Sequence, residues 1–145
     1  MTNIASESLV FYGDLPCYEE PLRTLFERIA VGEELDPEQE ISLIFCNEAM
    51  IRQLNRDFRD KDSVTDVLSF PFNDDDFLGE IYICVERMRE QADEYNFTYE
   101  EETCRLMTHG IFHLLGYDHL TDDEREEMES AERLYFSVDI DTPKG

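Results

Sequence analysis

The segment HGIFHLLGYDH, residues 109–119, constrains this chain more than any other feature, because it contains all three histidines of the sequence. Successive residues of an α-helix advance by about 100°, so His109 and His113 project from one face only about 40° apart. Gly116 is placed to end that helix, since glycine readily adopts the left-handed conformation. The turn that follows can bring His119 back toward the other two. The segment therefore predicts a helix whose C-terminal end gathers three imidazoles.

Three imidazoles gathered in this way predict a metal site. Three protein ligands leave one of the four tetrahedral positions of zinc open, as catalytic zinc sites do. We therefore expect one zinc ion per chain, with His109, His113 and His119 as its ligands. Nickel and copper also accept imidazole and remain alternatives. Asp118 is either an acceptor that fixes the tautomer of one imidazole or a residue of the turn.

The spacing HxxxHxxGxxH is also found in the metzincin peptidases, whose HExxHxxGxxH motif has a general-base glutamate directly after the first histidine. In this chain that position is Gly110, which has no side chain to accept a proton. The sequence thus argues against a peptidase of that class. Another zinc hydrolase, acting on a peptide or an amide, remains an alternative.

Length and composition narrow the class of protein. The 145 residues are typical of a single domain, which we expect to cover residues 1–145. No basic segment is followed by an apolar one, and no apolar run approaches the ~20 residues that span a bilayer. The four cysteines are widely spaced and form no CxxC pair, so we expect free thiols in a reducing compartment. These features predict a cytoplasmic protein without a membrane partner.

Hydrophobic periodicity predicts four strands and about five helices. The strand-like segments are SLVFYG (8–13), EISLIFC (40–46), TDVLSFPF (65–72) and FLGEIYICV (77–85). The helical segments are 19–30, 48–58, 85–95, 99–115 and 122–136. Capping boxes begin the last two helices, at Thr98 with Glu101 and at Thr121 with Glu124. We expect an α+β fold in which a single mixed four-stranded sheet is packed with about five helices; an α/β arrangement is the alternative.

The charge of the chain argues against a nucleic-acid partner, with one local exception. A net charge of -24 repels phosphate backbones at long range. Arg52, Arg56, Arg59 and Lys61, however, lie within ten residues, although the chain has only twelve basic residues. Arg52 and Arg56 either contact phosphates or lie on a solvated helix face. This basic cluster keeps a nucleic-acid partner possible.

Three segments together resemble a known family. HGIFHLLGYDH, LNRDFRDKDSVTDVLSFPF (54–72) and LGEIYICVERMREQA (78–92) are similar, in order and spacing, to the signature motifs of the YbeY family of bacterial rRNA maturation factors. That family consists of single-strand-specific metallo-endoribonucleases. The chain departs from its pattern at Glu80, where aspartate is usual, and at Asp60, where glycine is common.

The resemblance implies a function and a set of site residues. It implies a zinc-dependent endoribonuclease that cuts single-stranded rRNA, in 16S 3′ end maturation and ribosome quality control. It also implies that the three histidines bind zinc and that Arg59 is the family's functionally important arginine. We expect His113 and Arg59 to be catalytic, and Arg59, Arg56, Thr65 and Ser69 to bind substrate.

The expected partners are single-stranded RNA and ribosomal subunit proteins, without DNA. A basic ribosomal protein could dock on the acidic segment DDEREEMESAE (122–132). The attacking oxygen is either water or the 2′-OH of the substrate. A ribosome-assembly factor with a structural zinc and no catalysis is the main alternative function.

Overall fold

The computed structural model describes residues 7–117 and 121–136. The strands in these ranges are β1 (Leu9–Tyr12), β2 (Glu40–Cys46), β3 (Val67–Asp74) and β4 (Phe77–Cys84). The helices are α1 (Glu19–Gly32), α2 (Glu48–Arg59), α3 (Val85–Tyr95), α4 (Tyr99–Leu114) and α5 (Asp122–Phe136). None of these helices is long and apolar enough to cross a membrane.

The strands form one mixed sheet in the order β1-β2-β4-β3. β2 pairs in parallel with both β1 and β4. β3 pairs antiparallel with β4, as expected for two strands joined by the short turn after Asp74. The expectation of an α+β fold with a single four-stranded sheet and about five helices is confirmed.

The two faces of the sheet pack against different helices, as alternation along β4 shows. Ile81 and Ile83 belong to the main core, which includes residues of α1 and α4. Tyr82 and Cys84 point to the other face and pack in a smaller cluster with Ile51 of α2. α4 and α2 therefore lie on opposite faces of the sheet.

The helix starts follow the capping residues of the sequence. Asn47 accepts a hydrogen bond at 2.9 Å from the backbone N–H of Met50 in the first turn of α2. At the start of α4, the Thr98 hydroxyl accepts from the Glu101 N–H and the Glu101 carboxylate accepts from the Thr98 N–H. The capping box predicted at Thr121 is also present. At the other end of α4, Gly116 has φ +103, as its predicted role in ending the helix requires.

The four cysteines are free thiols, as predicted. Cys84 and Cys104 are buried. Burial, together with the smaller effects of the nearby Cys84 and Glu86, raises the pKa of the Cys46 thiol to about 12. A thiol with so high a pKa stays protonated near neutral pH and is a poor metal ligand.

Two glycines allow α4 to lie close against the sheet. A Cβ atom on Gly110 would lie 2.6 Å from Cγ2 of Ile81, and one on Gly79 would lie 2.6 Å from Cδ2 of Leu114. Neither approach is possible without movement of the packed atoms. The Ser69 hydroxyl of β3 donates a hydrogen bond to the Gly110 carbonyl at 3.2 Å. These contacts fix the position of α4 on β3 and β4.

We expect Gly110→Ala to lower the free energy of unfolding by about 1–3 kcal/mol, because the added methyl group overpacks the contact with Ile81. The change outweighs the gain of about 1 kcal/mol that alanine brings to a helix interior. Chemical denaturation of the purified proteins measures the difference. Ile81→Ala makes room for the methyl group, so the double variant should be less destabilised than the sum of the two single variants. An unchanged or more stable Gly110→Ala protein would contradict the close packing.

Candidate metal centre

His109 and His113 of α4 point their Nε2 atoms at each other. The two nitrogens are 3.2 Å apart, and the ring planes meet at 77°. Two nitrogens bound to one tetrahedral zinc ion at 2.0–2.1 Å are separated by about 3.4 Å. The spacing of this imidazole pair therefore fits two ligands of a single ion, with little adjustment of either side chain.

Glu132 of α5 holds the ring of His109. Its Oε2 atom lies 2.9 Å from Nδ1 of His109, and its side chain is only 14% exposed. A carboxylate at this position favours the tautomer in which Nδ1–H donates to it. The Nε2 lone pair is then directed toward His113, as a metal ligand requires. Glu132 thus orients His109 in the way that carboxylates behind metal-binding histidines commonly do.

The third predicted ligand, His119, lies outside the described residues, as does Asp118. Their roles stay predictions. Within residues 7–117 and 121–136, no three His, Cys, Asp or Glu side chains are grouped closely enough to hold an ion. The described part of the site is the imidazole pair with Glu132 behind it.

Gly110, at the position where metzincins have a general-base glutamate, packs against the sheet and leaves no room for a side chain. This position lies between the two histidines in sequence, but its Cα faces Ile81 of the sheet. A glutamate at this position would direct its Cβ into the packed sheet and could not reach the imidazole pair without moving the helix. The structure thus supports the argument against a metzincin mechanism.

A cleft of about 250 Å³ between α4 and α5 opens beside His109. The His109 side chain is 29% exposed, so it is partly accessible to solvent. The lining includes both signs of charge. The residues of the cleft are Arg105, His109, Arg125, Met128, Glu129 and Glu132.

Arg105, which lines this cleft, forms an ion pair with Glu102. Glu102 is completely buried, and its two oxygens accept from Nε and Nη2 of Arg105 at 3.0 and 2.6 Å. Gln91 donates a further hydrogen bond to Glu102 at 2.7 Å. Neither this pair nor Glu132 was predicted from the sequence. The i,i+3 spacing of Glu102 and Arg105 was a detectable signal, whereas Glu132 is 23 residues from His109 and had none.

Arg59 is the last residue of α2 and is exposed. It makes no hydrogen bond or ion pair with any residue in 7–117 or 121–136. The next residue, Asp60, has φ +58 and ends the helix in the left-handed conformation, which explains why glycine suits this position. The ring of Phe58 contacts Phe70 of β3, on the face opposite α4. Arg59 and the imidazole pair are thus on elements that pack on opposite faces of the sheet.

The other arginines of the basic cluster are already paired. Nε of Arg52 and Nη1 of Arg56 both donate to Oδ1 of Asp62, at 2.8 and 3.1 Å. The hydrogen bond from Arg52, together with the charges of both arginines, holds the pKa of the Asp62 carboxyl below its usual value. Asp62 therefore neutralises part of the positive charge of the basic cluster. Arg59 and Lys61 are the exposed cations of the cluster that form no ion pair with a residue in 7–117 or 121–136.

Thr65 and Ser69 take part in hydrogen bonds within the protein. Thr65 donates to Oδ1 of Asp66 at 3.3 Å, and the same oxygen accepts from the N–H of Val67. Ser69 bonds to Gly110, directly after His109 in the chain. The structure therefore brings Ser69 next to the histidine helix, while substrate binding by either hydroxyl stays a prediction.

Comparisons with known proteins agree with this geometry. A family model described as Endoribonuclease YbeY matches residues 12–138. The chain is 51% identical over 112 residues to the Endoribonuclease YbeY of Finegoldia magna, which is 73% of each protein. It is 47% identical over 109 residues to that of Clostridioides difficile, which is 69% of this chain and 71% of the relative.

A solved structure is also similar to this chain. The solution structure of a Thermotoga maritima protein aligns with a TM-score of 0.59 and 31% sequence identity, covering 94% of this chain and 99% of the other. The family model spans β2, β3, β4 and the histidine helix, and these two relatives exceed 45% identity over more than two thirds of the chain. The chain belongs to the YbeY endoribonuclease family.

Proposed function

We propose that this protein is a zinc-dependent endoribonuclease that cuts single-stranded RNA in the cytoplasm. Its proposed role is rRNA maturation, including processing of the 16S 3′ end and ribosome quality control, with ribosomal subunit proteins as partners. The observation that carries the proposal is the convergence of the His109 and His113 Nε2 atoms at 3.2 Å, with His109 fixed by Glu132. Family membership supplies the substrate class.

The proposed ligands of the ion are His109, His113 and His119. Zinc held there would act as a Lewis acid and would lower the pKa of a coordinated water to about 7. The contribution of the protein is to position the metal ligands. α4 holds two imidazoles one turn apart, and Glu132 favours the tautomer of His109 that carries its proton on Nδ1, which leaves the Nε2 lone pair as the ligand.

Arg59 is the proposed second catalytic group. Its exposed guanidinium can donate two parallel hydrogen bonds to phosphate oxygens and stabilise the negative charge that develops during cleavage. β3 is an edge strand, with Ser69 on the side of α4 and Phe70 on the side of α2. An RNA strand that crosses this edge would contact Arg59 and Arg56 on one side and would pass Thr65 and Ser69 before the imidazole pair.

The acidic surface supports selectivity in this proposal. With a net charge of -24, most of the surface repels RNA, so binding is confined to places where cations are available. Indiscriminate binding to RNA is weakened as a result. The exposed acidic side chains of α5, such as Asp122 and Asp123, could meet a basic ribosomal protein and bring the enzyme to its substrate.

We expect the zinc-loaded protein to cut an end-labelled, unstructured RNA, and His113→Ala to abolish the cutting, because the substitution removes one metal ligand. Gel analysis of both proteins, purified identically, measures the effect, and the chemical ends of the products distinguish attack by water from attack by the 2′-OH. Equal cutting by the two proteins would identify a contaminating nuclease. If the zinc-loaded wild type cuts neither naked RNA nor RNA in ribosomal subunits, the endoribonuclease proposal is wrong and a non-catalytic assembly factor is favoured.

We expect Glu132→Gln to weaken zinc binding by about 10- to 100-fold, because His109 loses the carboxylate that fixes its tautomer and orientation. Competition with a chromophoric chelator measures the affinity without reference to activity. Glu129→Gln is the matched control, since it makes the same charge change in the same cleft and Glu129 makes no hydrogen bond to a described residue. Equal zinc affinity for Glu132→Gln and Glu129→Gln would show that Glu132 does not support the site.

A further inference from the structure

Arg105 lies one helical turn before His109 on α4, and both side chains line the cleft between α4 and α5. Positions four residues apart on a helix have Cβ atoms about 5–6 Å apart on the same face. The Arg105 side chain is 38% exposed, so it is accessible from the cleft. A cation is therefore present beside the imidazole pair, on the side of His109 that faces away from His113.

The Arg105 guanidinium is held in a fixed orientation. Its Nε and Nη2 edge makes the two hydrogen bonds to the buried carboxylate of Glu102, which Gln91 also anchors. Its Nη1 atom makes no hydrogen bond to any residue in 7–117 or 121–136. The bidentate pairing thus uses one edge of the planar group and leaves the other edge with donors of fixed direction.

The Arg105 guanidinium stays positively charged, and the residues around it carry charges of both signs. Burial lowers the pKa of the guanidinium, but the hydrogen bonds and the charge of Glu102 more than offset this, and the nearby Asp66 and Glu132 raise the pKa further. In the cleft, Glu132 is engaged with Nδ1 of His109. The cleft is also lined by Glu129 and by Arg125, which forms an ion pair with Asp122 at 3.4 Å. Because Glu102 balances part of the charge of Arg105, an anion in the cleft would gain mainly a directional hydrogen bond.

We propose that Arg105 forms a binding subsite for an RNA phosphate that flanks the one cleaved at the imidazole pair. This inference rests on the proposed ribonuclease function. A single strand has a phosphate at every nucleotide, so a strand bound at His109 and His113 places a neighbouring phosphate within reach of a cation one helical turn away. Such a contact positions the strand and reads no base sequence.

The test combines a protein variant with a single neutral linkage in the substrate. The cut site of the wild type is first located in a short unstructured RNA. A methylphosphonate, which has no charge, then replaces each of the two phosphates that flank this site, one at a time. We expect Arg105→Gln to lower kcat/KM about tenfold on the unmodified RNA, as loss of one charged hydrogen bond predicts. One of the two methylphosphonates should also lower kcat/KM of the wild type about tenfold. The same methylphosphonate should change kcat/KM of Arg105→Gln very little, because the contact is already lost.

Arg89→Gln on α3 is the matched control. It removes the same charge from a guanidinium that lies over the ring of Tyr99, away from the cleft. Its effect on kcat/KM should be independent of either methylphosphonate, so that each methylphosphonate lowers kcat/KM of Arg89→Gln by the same factor as that of the wild type. If Arg105→Gln does not fold because buried Glu102 has lost its partner, a double variant takes its place. The double variant Glu102→Gln/Arg105→Gln, which also removes the unpaired charge, is then compared with the wild type instead of the single variant.

The outcomes separate this inference from the proposed function. Independent, multiplying effects of Arg105→Gln and both methylphosphonates would overturn the phosphate subsite and leave Arg105 as the structural partner of Glu102. A wild-type protein that neither cuts nor binds the RNA would remove the proposed function, and the subsite with it. Loss of the methylphosphonate effect in Arg105→Gln, but not in Arg89→Gln, would establish the contact.

Discussion

The contact of Gly110 with Ile81 is the constraint on which the rest of the site depends. Because no side chain separates α4 from the sheet at this point, the helix lies close to β3 and β4, and Ser69 can bond to the Gly110 carbonyl. The neighbouring position turns about 100° away from the sheet. His109 is thus directed to the flank of the helix, where α5 packs and where His113 follows one turn later.

Two carboxylates of this very acidic chain are largely buried and hold other side chains of the candidate site in place. Most of its described acidic side chains are exposed and contribute to the net charge of -24. Glu102 and Glu132 differ, because each is buried or nearly so and each has a defined partner on α4. Glu132 orients an imidazole, while Glu102 fixes a guanidinium. Glutamate therefore repels RNA over the general surface and also organises two groups of the site, an imidazole that we propose binds zinc and a guanidinium that we propose binds an RNA phosphate.

Local patterns predicted the local structure well. Alternating and helical periodicity identified the strands and helices, and Asn47, Thr98 and Thr121 marked helix starts, because capping involves residues only three positions apart. The histidine pair followed from i,i+4 spacing for the same reason. What the sequence missed depends on contacts between distant segments. Neither the order β1-β2-β4-β3 nor the contact of Glu132 with His109 has a signature at short range. The sequence showed that Gly110 cannot act as a general base. Its packing against Ile81 could not be predicted, because that contact depends on where the helix lies on the sheet.

Zinc X-ray absorption spectroscopy of the protein loaded with one equivalent of zinc tests whether the histidines of α4 bind the ion. We expect the nearest ligand atoms to be nitrogen or oxygen at about 2.0–2.1 Å, with the outer-shell scattering of imidazole rings. We also expect this scattering to weaken in His109→Ala. Sulfur scattering at about 2.3 Å, or a spectrum that is the same in wild type and His109→Ala, would place the ion elsewhere and contradict the assignment of the centre to the histidines of α4.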